Sequence, residues 1–182
     1  MTITVRPEAP ADRAACVEIE RLAFGSDEEP AIVEAVRDEE GSFALVAEVD
    51  RKLVGHIQLS RAWVGATAVL ALGPIGVLPD RQRRGIGSAL TRASLEEARA
   101  RGEAAVVLFG DPAFYRRFGF EPGTRFGLRN PFAGMQLPDG TLVVEENLML
   151  APLDDRARAL SGAIRWHAAL ASPPVEAPRD GA

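Results

Sequence analysis

Apolar and polar positions follow two different periods along the chain, and together they predict a mixed α/β fold. Runs that alternate or are wholly apolar predict strands; they cover residues 2–6, 42–49, 52–60, 67–77, 104–109 and 141–150. Helical spacing with start and stop residues predicts four helices; they cover residues 10–23, 30–38, 85–101 and about two turns between Asp111 and Gly119. The strand–helix–strand order of residues 67–109 predicts a parallel strand pair with a right-handed crossover.

Several finer features follow from the same pattern. The first helix is expected to turn Ala14, Val17 and Leu22 inward and to end at Gly25. Asp50-Arg51 predicts a hairpin turn, and residues 63–65 are interpreted as a further turn. Residues 161–169 are expected to form a short terminal element with Trp166 and Leu170 packed inward. The proline-rich residues 173–182 predict a disordered tail, which leaves residues 1–172 as a single domain.

Composition places the chain among globular proteins and limits its partners. It has 182 residues, of which 47% are hydrophobic and 26% charged, with a net charge of −5. A negative net charge argues against a nucleic-acid surface, and no apolar run approaches the ~18 residues needed to span a bilayer. The N-terminus lacks the pattern of a signal peptide, so a cytoplasmic location is expected. The single cysteine, Cys16, reads as a buried small hydrophobe, and we identify no metal-ligand set.

A glycine loop after the fourth strand carries the clearest functional signal. Residues 75–90 read IGVLPDRQRRGIGSAL, in which an apolar strand leads through three arginines and Gly85-x-Gly87 into a helix. Glycines leave main-chain N–H groups uncovered, and the helix start adds free donors and a positive dipole end, so the segment predicts an anion site. A dinucleotide fingerprint would need glycine or alanine at Leu90. A nucleoside-triphosphate loop would need a lysine here, and the only lysine is Lys52.

The remaining pattern, Gln82-x-x-Gly85-x-Gly87 after Val77-x-Pro79, resembles the pyrophosphate-binding motif of the GCN5-related N-acetyltransferase (GNAT) superfamily. The resemblance implies a mixed, mostly antiparallel sheet of six to seven strands flanked by about four helices, with a parallel pair splayed at a bulge. It implies that acetyl-CoA is bound by strand, loop and helix residues. These are Ile75, Val77, Leu78, Pro79, Gln82, Arg83, Arg84, Gly85, Ile86, Gly87, Ser88 and Ala89.

The predicted splay of the parallel pair has its own signal in Gly73-Pro74. Proline cannot donate to a sheet ladder and glycine often marks a bulge, so the strand should be locally unpaired there. In the family, the pantetheine arm lies in this opening. The thioester carbonyl then accepts a hydrogen bond from the strand, near residues 75–77 here.

A second motif supplies the expected acid. Tyr115, Gly119 and Phe120 match the family's Tyr-x-x-x-Gly-Phe pattern, whose tyrosine protonates the leaving thiolate. A phenol, with an ordinary pKa of about 10, stays protonated at neutral pH and can donate that proton. Residues 108–120 with 72–74 look most like the bacterial YhbS-like branch. The family's coenzyme-contacting asparagine before this helix has no counterpart in Gly110-Asp111-Pro112.

The base that accepts the amine's proton stays open. Glu145 and Glu146 lie in the predicted last strand and should point to opposite faces. His56 lies in a strand with Gln58 and Ser60 on its face; it is interpreted as a hydrogen-bonded strand residue or as a base. A water molecule is the fourth alternative. The acidic joint at residues 27–29 reads either as a solvated helix start or as an attraction for a cationic amine.

The resemblance therefore implies an acyltransferase that moves acetyl from acetyl-CoA to a primary amine of a small molecule, peptide or protein. No metal, nucleic acid or membrane is expected as a partner, and the protein is expected to be a monomer or homodimer. The alternative is an acyl-CoA-binding regulatory module without turnover.

Overall fold

A computed structural model describes residues 2–137 and 140–170. Its helices are α1 (Arg13–Phe24), α2 (Glu28–Val36), α3 (Ile86–Ala100) and α4 (Pro112–Tyr115). Its strands are β1 (Ile3–Pro7), β2 (Phe43–Val49), β3 (Lys52–Val64), β4 (Thr67–Val77), β5 (Ala105–Phe109), β6 (Glu121–Pro122), β7 (Leu148–Pro152) and β8 (Ile164–Arg165). None of the described helices has the length and apolar character that crossing a membrane requires.

The strands form one mixed sheet in the order β1-β2-β3-β4-β5-β7-β6, with β8 against β3. The pairs β1/β2, β2/β3, β5/β7, β6/β7 and β3/β8 are antiparallel, and β4/β5 is parallel. This confirms the predicted fold, although the sheet has eight strands because two strands of two residues each, β6 and β8, had no pattern long enough to be predicted.

The described residues group into two compact units, and strands β3 and β4 run through both. The first unit contains residues 2–60 and 72–97. Here β1 pairs with β2, and β2 turns into β3 through Asp50 and Arg51, which both have positive φ (52° and 61°). Such φ values are those of a two-residue hairpin turn. The core of this unit includes the fully buried Val33, Val46, Ile57 and Leu90.

The second unit contains residues 61–71 and 98–170. Its wholly apolar β5 lies between two strands: it is parallel to β4 at Leu70 and Ala71, and antiparallel to β7 along its whole length. The parallel register ends at Ala71, two residues before Gly73-Pro74. The side chains of Trp166 and Leu170 pack against the core of this unit, as predicted.

Two predictions about the strands are wrong, each for a physical reason. Residues 141–147 are not a strand: Glu145–Asn147 form a 3-10 turn, in which Asn147 Oδ1 accepts the Val144 N–H at 2.8 Å, and β7 starts at Leu148. Residues 63 and 64 extend β3, because β8 supplies partners at Arg165 and Ile164. The turn comes at Gly65, whose φ is 56°.

The inward face of α1 is also rotated from the prediction. Cys16, Ile19 and Glu20 are buried, whereas Ala14 is exposed and Leu22 is 48% exposed. The predicted face omitted Glu20 because a carboxylate counts as polar. The expectation of disorder at 173–182 falls outside the described residues, and the single-domain assignment stays a prediction.

Candidate coenzyme site and its neighbouring polar core

The loop between β4 and α3 is fixed at its first end by main-chain and side-chain hydrogen bonds. Leu78 N–H donates to Val54 O of β3 at 2.9 Å, and Arg81 N–H donates to Leu78 O at 2.8 Å, which closes a 3-10 turn begun by Pro79. The Gln82 side chain donates through Nε2 to Val77 O at 3.1 Å. Gln82 thus ties the loop back onto the strand that precedes it.

Several main-chain N–H groups in the second half of the loop make no backbone hydrogen bond among the described residues. Arg83 and Gly85 have φ of 58° and 83°, and the positive value at a non-glycine residue stores strain of the kind found at functional sites. The first helical bond of α3 runs from Ala89 N–H to Gly85 O at 2.9 Å, so the N–H groups of residues 86–88 precede the helical ladder. Within the described ranges, the N–H groups of residues 82–85 make no backbone hydrogen bond.

The start of α3 is held against the sheet by a position that only glycine fits. A β-carbon at Gly55 of β3 would lie 2.9 Å from Ile86 Cγ2, 3.0 Å from Leu90 Cδ1 and 3.3 Å from Gly76 O. Real β-carbons essentially never lie within 3.0 Å of another such atom, and the other two distances are also tighter than ordinary contacts; Ile86 and Leu90 are both buried. The absent side chain at Gly55 therefore sets the position of the α3 N-terminus.

The predicted coenzyme residues differ widely in exposure. The buried members are Ile75, Val77, Ile86 and Gly87. The half-buried members are Leu78, Gln82, Ser88 and Ala89, and the exposed members are Pro79, Arg83, Arg84 and Gly85. The buried strand residues can offer a ligand only their main-chain groups. Ala89 has its N–H in the helix ladder, so it could contact a ligand only through its side chain.

Tyr115 lies in the second unit, on a short helix that begins as predicted. Asp111 Oδ1 accepts the Ala113 N–H at 2.8 Å, Pro112 occupies the first turn, and Gly119 ends the segment with φ of 89°. Tyr115 is 4% exposed, and its ring makes edge contacts with Phe114 (centroids 4.8 Å apart) and Phe120 (5.5 Å). Packing therefore fixes the ring on two sides.

Gly110 fixes the same ring from a third side. A β-carbon there would overlap Cε2 of Tyr115 and lie 2.8 Å from Cδ2. The Gly110 main chain is itself held, because its N–H donates to Asn147 O at 2.9 Å and its carbonyl accepts from Asn147 Nδ2 at 3.1 Å. The sequence reasoning treated Gly110 only as part of a short loop and missed this contact.

The candidate bases have distinct surroundings. Glu145 Oε2 accepts the Asn130 N–H at 2.9 Å, whereas Glu146 is exposed. They lie in a turn, so the expected alternation of their side chains on a strand is wrong. His56 is a hydrogen-bonded strand residue: its side chain is 0% exposed, and Nδ1 lies 2.7 Å from Oε1 of the equally buried Glu20.

Glu20 is the residue that sequence reasoning missed in this region. Burial raises its pKa, and the nearby charge of Glu29 adds to the rise, while His56 and the Gly76 N–H favour the charged form. Its position in the sequence could have indicated that it is buried, because Glu20 follows Cys16 by four residues and so lies on the same face of the helix.

A further group of polar side chains lies beside this pair. Ligand atoms of Glu8, Cys16 and His56 lie within 4.8 Å of one another, close enough to share a metal ion. Arg37 Nη2 lies 3.2 Å from Glu8 Oε1, so a guanidinium already balances that carboxylate. Burial raises the pKa of the Cys16 thiol, as expected for an unreactive structural cysteine.

Comparison with known proteins identifies the family to which this chain belongs. Residues 13–120 match the model of the acetyltransferase (GNAT) family. The chain belongs to that family. It is 31% identical to the uncharacterized N-acetyltransferase YhbS of Escherichia coli over 90% of this chain and 95% of that protein. It is 33% identical to YjhQ of the same organism, over 58% of this chain and 62% of YjhQ.

Solved structures agree with this assignment. The crystal structure of E. coli YhbS in complex with CoA superposes with a TM-score of 0.78 at 28% identity, covering 92% of this chain and 91% of that one. A GNAT family acetyltransferase from Brucella melitensis in complex with acetyl-CoA gives 0.72 at 30% identity, covering 92% and 97%. The likeness to YhbS confirms the branch indicated by the motifs.

Proposed function

We propose that this protein binds acetyl-CoA and transfers its acetyl group to a primary amine. The observation that carries the proposal is the set of main-chain N–H groups at residues 82–88 that make no backbone hydrogen bond among the described residues, at the positive end of a helix. A diphosphate carries the charge and acceptor oxygens that such donors bind. The exposed Arg83 and Arg84 add positive charge at the same loop. Relatives that are complexed with CoA or acetyl-CoA support the same ligand.

The proposed reaction is a direct transfer. The amine nitrogen attacks the thioester carbonyl, main-chain N–H groups of Ile75 and Val77 stabilise the oxyanion, and the carbon–sulfur bond breaks as the carbon–nitrogen bond forms. Tyr115 gives its phenolic proton to the departing thiolate, a role that rests on the family motif. The amine loses its own proton to Glu145, Glu146, His56 or water. Of these, His56 is too buried to contact an acceptor directly.

The coenzyme part of the proposal is tested by removing one donor. Ser88→Pro deletes a main-chain N–H that no helical bond uses, in the first turn of α3, where proline removes no helical hydrogen bond. The preceding Gly87 has no β-carbon to add to the clash with the proline ring. A hydrogen bond to a charged group is worth about 1.5–3 kcal/mol, so the Kd for acetyl-CoA should rise by roughly 10- to 100-fold. Ser88→Ala is the control for the lost hydroxyl and should leave the Kd within about threefold of wild type.

Turnover is tested separately with a panel of primary amines and a free-thiol assay. We expect thiol release that depends on the amine, and we expect Tyr115→Phe to lower kcat while leaving the Kd for acetyl-CoA nearly unchanged. Tight binding without release for any amine would favour the acyl-CoA-binding module. Equal binding of Ser88→Pro and wild type would contradict the proposed site itself.

A further inference from the structure

A buried acid–base pair lies beneath β4 in the first unit, outside the motif residues. Glu20 projects from α1 and His56 from β3, and both side chains are 0% exposed. Glu20 Oε1 and His56 Nδ1 are 2.7 Å apart, whereas Glu20 Oε2 and His56 Nε2 find no hydrogen-bond partner among the described residues. Burying such groups with incomplete hydrogen bonding costs stability, so their presence calls for a reason other than folding.

The carboxyl group of Glu20 packs directly on the main chain of β4. A β-carbon at Gly76 would lie 2.7 Å from Glu20 Oε2 and 2.9 Å from Cδ, so the carboxyl group occupies the space that a side chain at position 76 would take. Gly76 has no positive φ. The glycine is therefore needed for space and not for its backbone conformation.

Gly76 stands between the two main-chain donors proposed for the thioester. Leu78 N–H points to β3, where it donates to Val54 O. Because N–H directions alternate along a strand, the N–H groups of Ile75 and Val77 lie on the opposite edge of β4 from β3. A shift of the chain at Gly76 would move both of these donors.

Other ionisable groups lie close to the pair. Glu29 lies near enough to raise the pKa of Glu20, Arg37 lies 3.2 Å from Glu8, and Cys16 is a buried thiol beside Glu8 and His56. Glu20 itself lies between two contacts, with His56 on one side and the β4 main chain at Gly76 on the other.

We propose that Glu20 and His56 are positioning residues for acetyl transfer, which hold the β4 main chain at Gly76 so that Ile75 and Val77 present their N–H groups to the thioester carbonyl. This inference rests on the proposed function, because it names the support of that site. Neither residue contacts the reacting atoms; Glu20 acts through the main chain, and His56 acts by orienting Glu20.

The test uses acetyl-CoA labelled with ¹³C at the thioester carbonyl, whose resonance reports hydrogen bonding whether or not turnover occurs. Glu20→Ala removes the support and Gly76→Ala displaces it, so both should move the bound resonance toward its free position. Both should lower kcat by at least 10-fold, since a misplacement of about 1 Å can cost 10²-fold, with the Kd for acetyl-CoA within threefold of wild type. Glu20→Gln keeps the length and an accepting oxygen, and it should retain the wild-type resonance and most of kcat.

Glu18→Ala is the matched control, because it makes the same kind of change on α1 at a side chain that is 53% exposed. It should change neither readout. Gly76→Ala carries the test alone if loss of Glu20 prevents folding. A bound resonance unchanged in both Glu20→Ala and Gly76→Ala would overturn this inference alone. Absence of any bound resonance with the wild-type protein would overturn the proposed function and this inference with it.

Discussion

The contact between Gly110 and Tyr115 makes the proposed acid testable without touching its phenol. In Gly110→Ala the new methyl would overlap Cε2 of the ring and lie 2.8 Å from Cδ2. Carbon atoms that are not bonded to each other prefer separations of about 3.5–4.0 Å, so one group must move by roughly 1 Å. The Gly110 main chain cannot easily withdraw, because Asn147 holds both its N–H and its carbonyl. The ring must therefore move.

The displacement predicts a specific kinetic result. A misplacement of about 1 Å can cost a reaction 10²-fold, so kcat for acetyl transfer should fall by one to two orders of magnitude. The Kd for acetyl-CoA should stay within threefold of wild type, because the coenzyme loop belongs to residues 82–88. Overpacking of this kind costs about 1–3 kcal/mol of stability. The measurements are kcat by thiol release, Kd by calorimetry and the free energy of unfolding by urea titration.

Gly123→Ala is the control for overpacking in the same unit. Its β-carbon would lie 3.1 Å from the Leu148 side chain, and that contact does not involve Tyr115. This milder contact should cost less stability than Gly110→Ala, and kcat should stay near wild type. If Gly110→Ala is folded and keeps kcat within threefold, the position of the Tyr115 ring does not matter for turnover, and its role as the acid is refuted.

Two further predictions concern the first unit. Gly55→Ala should raise the Kd for acetyl-CoA at least several-fold, because a methyl 2.9 Å from Ile86 Cγ2 pushes the start of α3 off the sheet; an unchanged Kd measured by calorimetry would contradict this. Burial raises the pKa of Glu20 in the folded state. The contribution of the protonated Glu20 carboxyl group to folding stability is therefore fully present below its unfolded pKa of about 4.3, and it is lost as the pH rises through its folded pKa. The stability of Glu20→Gln relative to wild type should therefore increase with pH in urea titrations between pH 5 and 8, and a pH-independent difference would refute the assignment.

Most of the sheet could be predicted because its strands are long or wholly apolar. The strand from Thr67 to Val77 appears with the predicted bounds, and β2, β3 and β5 differ from prediction mainly at their ends. The failures are local. β6 and β8 have two residues each, and their pairing depends on partners distant in sequence, so no periodicity could reveal them. Residues 141–147 looked like a strand because their apolar content was not weighed against the bonds that Asn147 makes in a turn.

The loop and the helix of Tyr115 were found because glycines, prolines and caps act on their immediate neighbours. Gln82 bonding to Val77 O and Asp111 capping Ala113 are both contacts within five residues. Contacts between distant segments left no such pattern. Glu20 reaches His56 across 36 positions, and Gly55 makes room for residues of α3.

Three glycines outside the motif share one structural role. Gly55, Gly76 and Gly110 have no positive φ, so none of them is required by its backbone conformation. Each instead leaves the space of a β-carbon to another group: the start of α3, the Glu20 carboxyl group and the Tyr115 ring. Each of those groups is one that the proposed reaction needs in a fixed place, namely the phosphate donors, the support of the strand donors and the acid. A substitution series that adds one methyl at each position should therefore separate coenzyme affinity, carbonyl polarisation and thiolate protonation, with Gly55→Ala acting mainly on Kd and the other two on kcat.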